Sequence, residues 1–366
     1  MTFDALSLAA PGVRALQPYV PGKPIEELER QYGVTNAIKL ASNENPLGPS
    51  PLALAAARAA LPEIARYPDG GGFGLKRALA TKLGVQPEQV TLGNGSSDVI
   101  EFAARIFLSP GDEAVFSQHA FAMYPIITQA IGARGVEVPA RDWGHDLDAM
   151  VRAVTARTRL VFLTNPNNPT GTWFDRASLL RFLHAVPPRV FVVLDEAYFE
   201  YVDHPDYPDG LSLLGEFPNL IVSRTFSKVY GLAGLRVGYS VSSTAVADLL
   251  NRVRPPFNVN SLALAAALAA LDDAAHLEQS RRVNAEGMRQ LVTGFGKLGL
   301  SHIPSVGNFV CVEVGESARV YEQLLRRGVI VRPVANYGMP EHLRITVGLP
   351  EENQRFLDAL QAALQS

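Results

Sequence analysis

The residues able to do chemistry in this chain fall into four short clusters. Gly93-Asn94-Gly95-Ser96-Ser97-Asp98 is a small-residue turn rich in amides and hydroxyls. Ahead of a helix it makes a phosphate site, because the first N–H groups of a helix lack intrahelical partners. It reads equally as an ordinary serine cap. It is not a dinucleotide fingerprint, which needs glycine where Asp98 stands. Thr164-Asn165-Pro166-Asn167-Asn168-Pro169-Thr170-Gly171 is either a plain turn or a rigid array of side-chain amides. Asp195-Glu196-Ala197-Tyr198 sets carboxylates behind an apolar run, where a charge must be paired by a structural cation or a cationic ligand. Ser223-Arg224-Thr225-Phe226-Ser227-Lys228 ends on a lysine among small residues, with Arg236 eight residues on. Such a lysine is either a solvated surface residue or a Schiff-base former.

Each cluster follows a run that is apolar at every position: residues 90–92, 160–163, 190–194 and 220–222, with a further run at 114–116. A half-exposed strand alternates, whereas a strand covered on both faces need not. Helix-length segments at 97–108, 124–131, 147–154 and 176–185 separate the runs. Alternation of this kind predicts an α/β fold of right-handed βαβ units on a mainly parallel sheet, with ligands at the carboxyl ends of the strands. Residues 1–50 are rich in proline and glycine and read as an arm or extended segment. Beyond about 260 come long helices and short strands near 309–313, 330–332 and 343–347, a smaller α+β domain. The expected division is an arm contributing to the small domain (1–50), a large cofactor-binding domain (51–258) and a C-terminal small domain (259–366).

Together the clusters suit one cofactor. Pyridoxal 5′-phosphate needs a lysine for its aldehyde, an acid for its ring nitrogen, donors for its 3-oxygen and a cationic cup for its phosphate. Lys228, Asp195, Asn168 with Tyr198, and Ser96, Ser97, Ser227 with Arg236 supply these in turn. The rest of the composition closes off other chemistries. The net charge is −3, from 33 Lys+Arg and 36 Asp+Glu, which gives no basic footprint for nucleic acid or an anionic membrane. A single cysteine, Cys311, builds no disulfide or metal cluster within one chain, and it reads as core. The seven histidines are scattered without helical metal spacing, so no metal site is expected; His145, His204 and His342 read as surface or loop residues. The N-terminus lacks a signal-peptide pattern. The alanine- and leucine-rich run at 262–271 is about half the roughly 20 residues of a membrane span and reads as a buried helix. A cytoplasmic enzyme is the expectation.

The set Asn167-Asn168-Pro169-Thr170-Gly171, Asp195-Glu196-Ala197-Tyr198 and Ser227-Lys228 with Arg236, in this order, resembles fold-type I pyridoxal-phosphate aminotransferases, the histidinol-phosphate aminotransferases among them. The likeness runs from Ser42-Asn43-Glu44-Asn45-Pro46 to Arg344-Ile345-Thr346-Val347-Gly348. It implies a homodimer and transfer of an amino group between L-histidinol phosphate and 2-oxoglutarate in histidine biosynthesis. By that resemblance Lys228 binds the cofactor and shuttles a proton, Asp195 keeps the ring nitrogen protonated, and Asn168 and Tyr198 bond the ring oxygen. Arg236, Ser227 and the Ser96–Ser97 turn hold its phosphate, Phe121 stacks on the ring, and Tyr67 reaches the phosphate of the partner's site. Arg344 binds the α-carboxylate of an amino acid, and Asn168 faces the substrate as well. Arg332 is a second arginine at the same mouth, Tyr19 contacts the substrate phosphate, and Asn43 and Asn258 line the site. Arginine suits both anions, since its planar fork grips carboxylate and phosphate alike. An aromatic amino acid aminotransferase and a phospho-amino-acid decarboxylase use the same scaffold. A non-catalytic regulator fused to a DNA-binding module does not fit a proline-rich segment of 50 residues.

Overall fold

In the computed structural model, which describes residues 3–19 and 21–365, the apolar runs become the centre of a seven-stranded sheet. Twelve strands occur among the described residues: β1 (Ile38–Leu40), β2 (Val90–Gly93), β3 (Glu113–Ser117), β4 (Arg134–Val138), β5 (Thr158–Thr164), β6 (Phe191–Asp195), β7 (Leu220–Thr225), β8 (Gly238–Val241), β9 (His302–Ile303), β10 (Phe309–Glu313), β11 (Val329–Pro333) and β12 (His342–Thr346). The large sheet runs β2-β8-β7-β6-β5-β3-β4. Only β8 is antiparallel to its neighbours, so the carboxyl ends of β2, β5, β6 and β7 share one edge.

Alternate residues of these strands enter different cores. Val161, Leu163, Val192, Leu194 and Val222 pack into one cluster, while Phe162, Val193 and Ile221 pack into another. All are fully buried, which is why the runs do not alternate in polarity. Each such side chain contributes about 1.5–3 kcal/mol of burial. The expected helices form as Ser96–Phe107, Met123–Ile131, Leu147–Arg152 and Arg176–Ala185.

The five-stranded sheet, β1-β11-β12-β10-β9, does alternate. Val310, Val312, Val329, Val331, Leu343 and Ile345 face a core closed by Phe295 of the Ala274–Lys297 helix and by Phe356 and Leu360 of the Pro350–Leu364 helix. Residues between them, Cys311, Arg332, Arg344 and Thr346, therefore take the opposite face. Strand β1 pairs with β11 in parallel, bringing the N-terminal segment into this sheet. That segment is not simply extended: helices occupy Ala5–Leu8, Pro11–Arg14 and Ile25–Tyr32, the second starting on a proline, which suits a first helical turn. The 262–271 run is a helix, Ser261–Leu271, whose Ala263, Ala266, Ala267 and Ala270 join the core of the large sheet. Among the described residues no helix is long and apolar enough to cross a membrane.

Candidate active site

Between the carboxyl edge of the large sheet and the arginine face of the small one lies a cavity that gathers the four clusters. Ser96, Ser97, Asn168, Asp195, Tyr198, Ser227, Lys228 and Arg236 line it from the large sheet, with Phe121 beside them. Arg332 and Arg344 line it from the small sheet, and Tyr19 and Asn43 from the N-terminal segment. A wider groove of about 770 Å³ is bordered by Arg141, Trp143, Trp173 and Arg181. None of the expected site residues borders it, so size does not locate the chemistry here.

The phosphate end is built by close backbone approach. Ser96 and Ser97 are the first two residues of the Ser96–Phe107 helix, and its cap is Gly95, not a serine. The ordinary serine cap is therefore not what this turn is, and the leading N–H groups stay free for an anion. Gly95 has φ 89°, and a Cβ there would lie 2.4 Å from Arg236 Nη2; a Cβ on Gly238 would lie 2.4 Å from the Ser96 nitrogen. Only glycine allows both approaches. Arg236 itself holds a left-handed backbone, φ 58° and ψ 70°, a strain expected where surrounding structure aims a functional group. Its Nη1 donates to Ser227 Oγ at 3.4 Å and to the Ala233 carbonyl at 3.2 Å.

Asp195 ends β6 beside Thr164 of β5 and Ser223 of β7. Its Oδ2 accepts from the Tyr124 hydroxyl at 3.0 Å, whereas Oδ1 is buried without a partner. Burial pushes the carboxyl up to about 6, against the pull of Tyr124, the Ala197 amide and Lys228. Lys228 Nζ donates to the Ser42 carbonyl at 3.2 Å. Burial first, then the Arg344 charge, brings its ammonium down to about 8, so a sizeable fraction of the amine is neutral near physiological pH.

Tyr198 and Asn168 are each fixed so that one donor remains. Asn43 Nδ2 donates to the Tyr198 hydroxyl at 2.8 Å, leaving the phenol its own proton to give. Burial raises that phenol above its ordinary range, so it stays protonated. Asn43 is locked in turn: its side-chain Oδ1 accepts from Thr346 Oγ1 and its carbonyl from Asn308 Nδ2. Asn168 Oδ1 accepts from Arg344 Nη1 at 2.5 Å, which leaves Nδ2 as its donor.

Arg344 and Arg332 are Cα partners across β12 and β11, and each is 6% exposed. Arg344 Nη2 also donates to the Ala41 carbonyl at 2.8 Å, and its Nε is buried without a partner. Arg332 lies over the Tyr19 ring, 5.3 Å from its centroid. Neither guanidinium has a carboxylate partner among the described residues. Like charges directly opposed on one sheet face are destabilising, and buried charges need partners. An anion is the missing element.

One expected residue lies elsewhere, and a second, Tyr67, belongs by expectation to a partner's site and not to this one. Asn258 does not line the cavity. Its Nδ2 donates to Asp98 Oδ2 and to the Leu92 carbonyl, and Asp98 Oδ2 accepts from the Asn94 amide, so Asn258 braces the phosphate turn from behind. Tyr67 does not reach the cavity of its own chain. It is 82% exposed and stacks on Phe257 at 4.7 Å. His342 is not a surface residue: it sits buried on β12, edge-on to Trp143 at 5.0 Å. Cys311 is fully buried in core. No metal-binding group of His, Cys, Asp and Glu occurs among the described residues. Sequence reasoning missed Tyr124, Thr164 and Ala197. Ala197 stands inside a quoted motif, and Tyr124 three residues past Phe121, where helical spacing could have signalled it.

A lysine of lowered basicity, an orphaned buried carboxylate oxygen, a glycine-backed phosphate turn and paired arginines define a site for a phosphorylated aldehyde cofactor and anionic substrates. The aminotransferase class I and II family pattern matches residues 35–360, and the chain belongs to that family. The chain is 63% identical to histidinol-phosphate aminotransferase 2 of Pseudomonas fluorescens over all of its own length and 99% of that protein. It is 64% identical to histidinol-phosphate aminotransferase 2 of Pseudomonas aeruginosa, over 99% of each chain. A crystal structure of histidinol-phosphate aminotransferase from Sinorhizobium meliloti, in complex with pyridoxal-5′-phosphate, superposes with a TM-score of 0.90 at 32% identity, covering 97% of each chain.

Proposed function

We propose that this chain is a pyridoxal-phosphate-dependent transaminase. It interconverts L-histidinol phosphate and 2-oxoglutarate with imidazole acetol phosphate and glutamate, in histidine biosynthesis. The observation that carries the substrate assignment is the facing pair Arg332 and Arg344, buried and without carboxylate partners. Histidinol phosphate has a phosphate and no carboxylate; glutamate has carboxylates and no phosphate. Two guanidinium forks with Tyr19 accept either anion.

The residues fit the cofactor on geometry. Asp195 Oδ1 has no partner, as a carboxylate awaiting a ring N–H requires. A Cβ on Gly95 or Gly238 would collide with Arg236 Nη2 or the Ser96 nitrogen, so these glycines let the arginine and the Ser96–Ser97 turn close up into one anion cup. When bound, pyridoxal phosphate supplies an electron sink for the charge left on the substrate's α-carbon. The chain's own residues do the rest. Asp195 favours a protonated ring nitrogen, since opposite charges stabilise the charged form. Tyr198 and Asn168 Nδ2 donate to the ring oxygen, and Arg236 and Ser227 hold the phosphate with the Ser96–Ser97 turn. Lys228 Nζ anchors the cofactor. As a neutral amine it would take the α-proton of the donor and deliver it to the cofactor's former aldehyde carbon, on the far side of the linking nitrogen, which its lowered basicity permits at neutral pH. Arg344 holds the substrate's anion close to that carbon, and Phe121 covers the ring.

The dimer is part of the proposal. Tyr67 and Phe257 stack at the surface, and Leu54, Leu61, Ile64 and Phe73, close to Tyr67 in sequence, are exposed as well; exposed apolar side chains of this kind are what a partner covers, and Tyr67 would then enter the partner's site. So is the domain division at 1–50, 51–258 and 259–366, which the pairing of β1 with β11 supports for the first segment, and a cytoplasmic location. A substrate panel tests the assignment. Purified protein with 2-oxoglutarate should turn over histidinol phosphate with the highest kcat/KM. Preference for phenylalanine would make it an aromatic aminotransferase, and carbon dioxide release from threonine phosphate a decarboxylase.

A further inference from the structure

The geometry points to Tyr124 as a positioning residue for this reaction: its hydroxyl fixes Asp195, and its ring sets the aromatic side chain that covers the cofactor. The inference rests on the cofactor assignment above and extends it to a group that does not line the cavity. Tyr124 is fully buried on the Met123–Ile131 helix. Its hydroxyl lies 3.0 Å from Asp195 Oδ2 and 2.7 Å from Thr164 Oγ1. A carboxylate only accepts, so the single phenolic proton goes to Asp195 and Thr164 must be the donor to Tyr124. The result is a directed chain, Thr164 to Tyr124 to Asp195, laid across neighbouring β5 and β6.

Two consequences follow from that direction. With Oδ2 committed to Tyr124, the unpartnered Oδ1 is the oxygen left for the ring nitrogen, so the hydroxyl chooses which face of the carboxylate works. The donated proton also stabilises the ionised form of Asp195, against the burial that opposes it. The ring does a second job. It stacks on Phe162 at 4.6 Å and 3°, and Phe121 meets it edge-on at 5.9 Å and 87°. One side chain thus touches both the acid at the ring nitrogen and the aromatic group above the ring. A hydroxyl that merely satisfied a core polar group would do neither.

The test is Tyr124→Phe in the holoenzyme, which keeps the ring and removes only the hydroxyl, with Thr164→Val as a second variant. Cofactor labelled with nitrogen-15 at the ring position reports protonation by NMR. Loss of the donor makes Asp195 the stronger base and draws the shared proton toward it. The resonance should therefore move toward the unprotonated position in Tyr124→Phe, and by less in Thr164→Val. Turnover should fall through kcat, with little change in donor KM. An unchanged nitrogen-15 shift with an unchanged kcat in Tyr124→Phe overturns the proposal. If Tyr124→Phe does not fold, the same result in Thr164→Val overturns it. A wild-type protein that binds no cofactor gives no resonance at all, which refutes the cofactor assignment instead.

Discussion

Replacing Arg332 with methionine separates its role in substrate binding from any role in the fold. Arg332 is 6% exposed, faces Arg344 across β11 and β12, and lies over the Tyr19 ring. A phosphate oxygen gripped by a guanidinium gains charge-assisted hydrogen bonds of about 1.5–3 kcal/mol each. Two such bonds, taken from the lower half of that range, are worth about 3–4 kcal/mol, or two to three powers of ten. The clean assay uses a matched pair, histidinol phosphate and histidinol, which differ only in the phosphate. In Arg332→Met the ratio of their kcat/KM values should fall by about 10²–10³, mostly through the phosphorylated substrate. The cofactor-free protein should become slightly more stable, because opposed like charges cost roughly 0.2–1 kcal/mol on a sheet face; that is at most about 1 °C in Tm for a chain of this size. Equal loss on both substrates, or a Tm lower by several degrees, would refute the reasoning, since Arg332 would then serve the fold and not the phosphate.

Four further outcomes are expected. Lys228→Ala should abolish turnover and the hydroxylamine-sensitive visible absorbance of the holoenzyme; full turnover would end the transaminase proposal. Asp195 lies at about 6 in the folded state against a usual 3.8, so above pH 6 the fold bears the cost of a buried carboxylate. Asp195→Asn should raise the Tm of cofactor-free protein at pH 8, by about 2–3 kcal/mol in stability. That gain should vanish as pH falls through 6 toward 4, and catalysis should be lost; a gain independent of pH contradicts the assignment. Gly95→Ala places a Cβ 2.4 Å from Arg236 Nη2 at a φ of 89°, and equilibrium dialysis should show cofactor affinity reduced at least about tenfold. Arg224 donates twice to buried Glu196 Oε2, at 2.9 and 2.7 Å. Arg224→Met, which strands that carboxylate, should cost about 3–5 kcal/mol in urea denaturation, and more than Glu196→Gln.

The parts of this protein that could be read in advance are those where one residue type has one physical use. Runs apolar at every position, such as 160–163, announce strands covered on both faces, and the polar residues directly after them mark the carboxyl edge where ligands bind. Strands β4 and β8 gave no such signal. Arg134–Val138 carries Arg134 and Glu137 at the sheet edge and is largely solvated, and Gly238–Val241 is four residues long, opening on a glycine. The short N-terminal helices escaped notice because proline and glycine there suit a helix start as well as an extended arm. Within the site, most residues that line the cavity were legible from their types. Residues that act through others were not: Asn258 braces Asp98 from 160 positions away, and Asn43 positions Tyr198 from 155 away. Only folding shows which distant donors a buried hydroxyl or carboxylate acquires.

The anion site and the core of the small sheet are one decision about register. Along β11 and β12, Val329, Val331, Leu343 and Ile345 point into the core, and the residues between them, Arg332 and Arg344, point into the cavity. Side chains alternate with a period of two, so a slip of one residue would send both arginines into the core and two aliphatic side chains into the cavity. Each aliphatic residue buried contributes about 1.5–3 kcal/mol, against roughly 0.2–1 kcal/mol for the opposed charges. The hydrophobic term therefore wins with a margin, and it is this margin that holds two unneutralised guanidinium groups face to face before any substrate arrives. On the proposed function, an anionic substrate would then gain twice: new hydrogen bonds would form, and an existing repulsion would disappear. A neutral side chain at either position would forgo the second gain, which is why a pair of arginines, and not one arginine with a neutral donor, suits a site that must take a phosphate in one half-reaction and a carboxylate in the other.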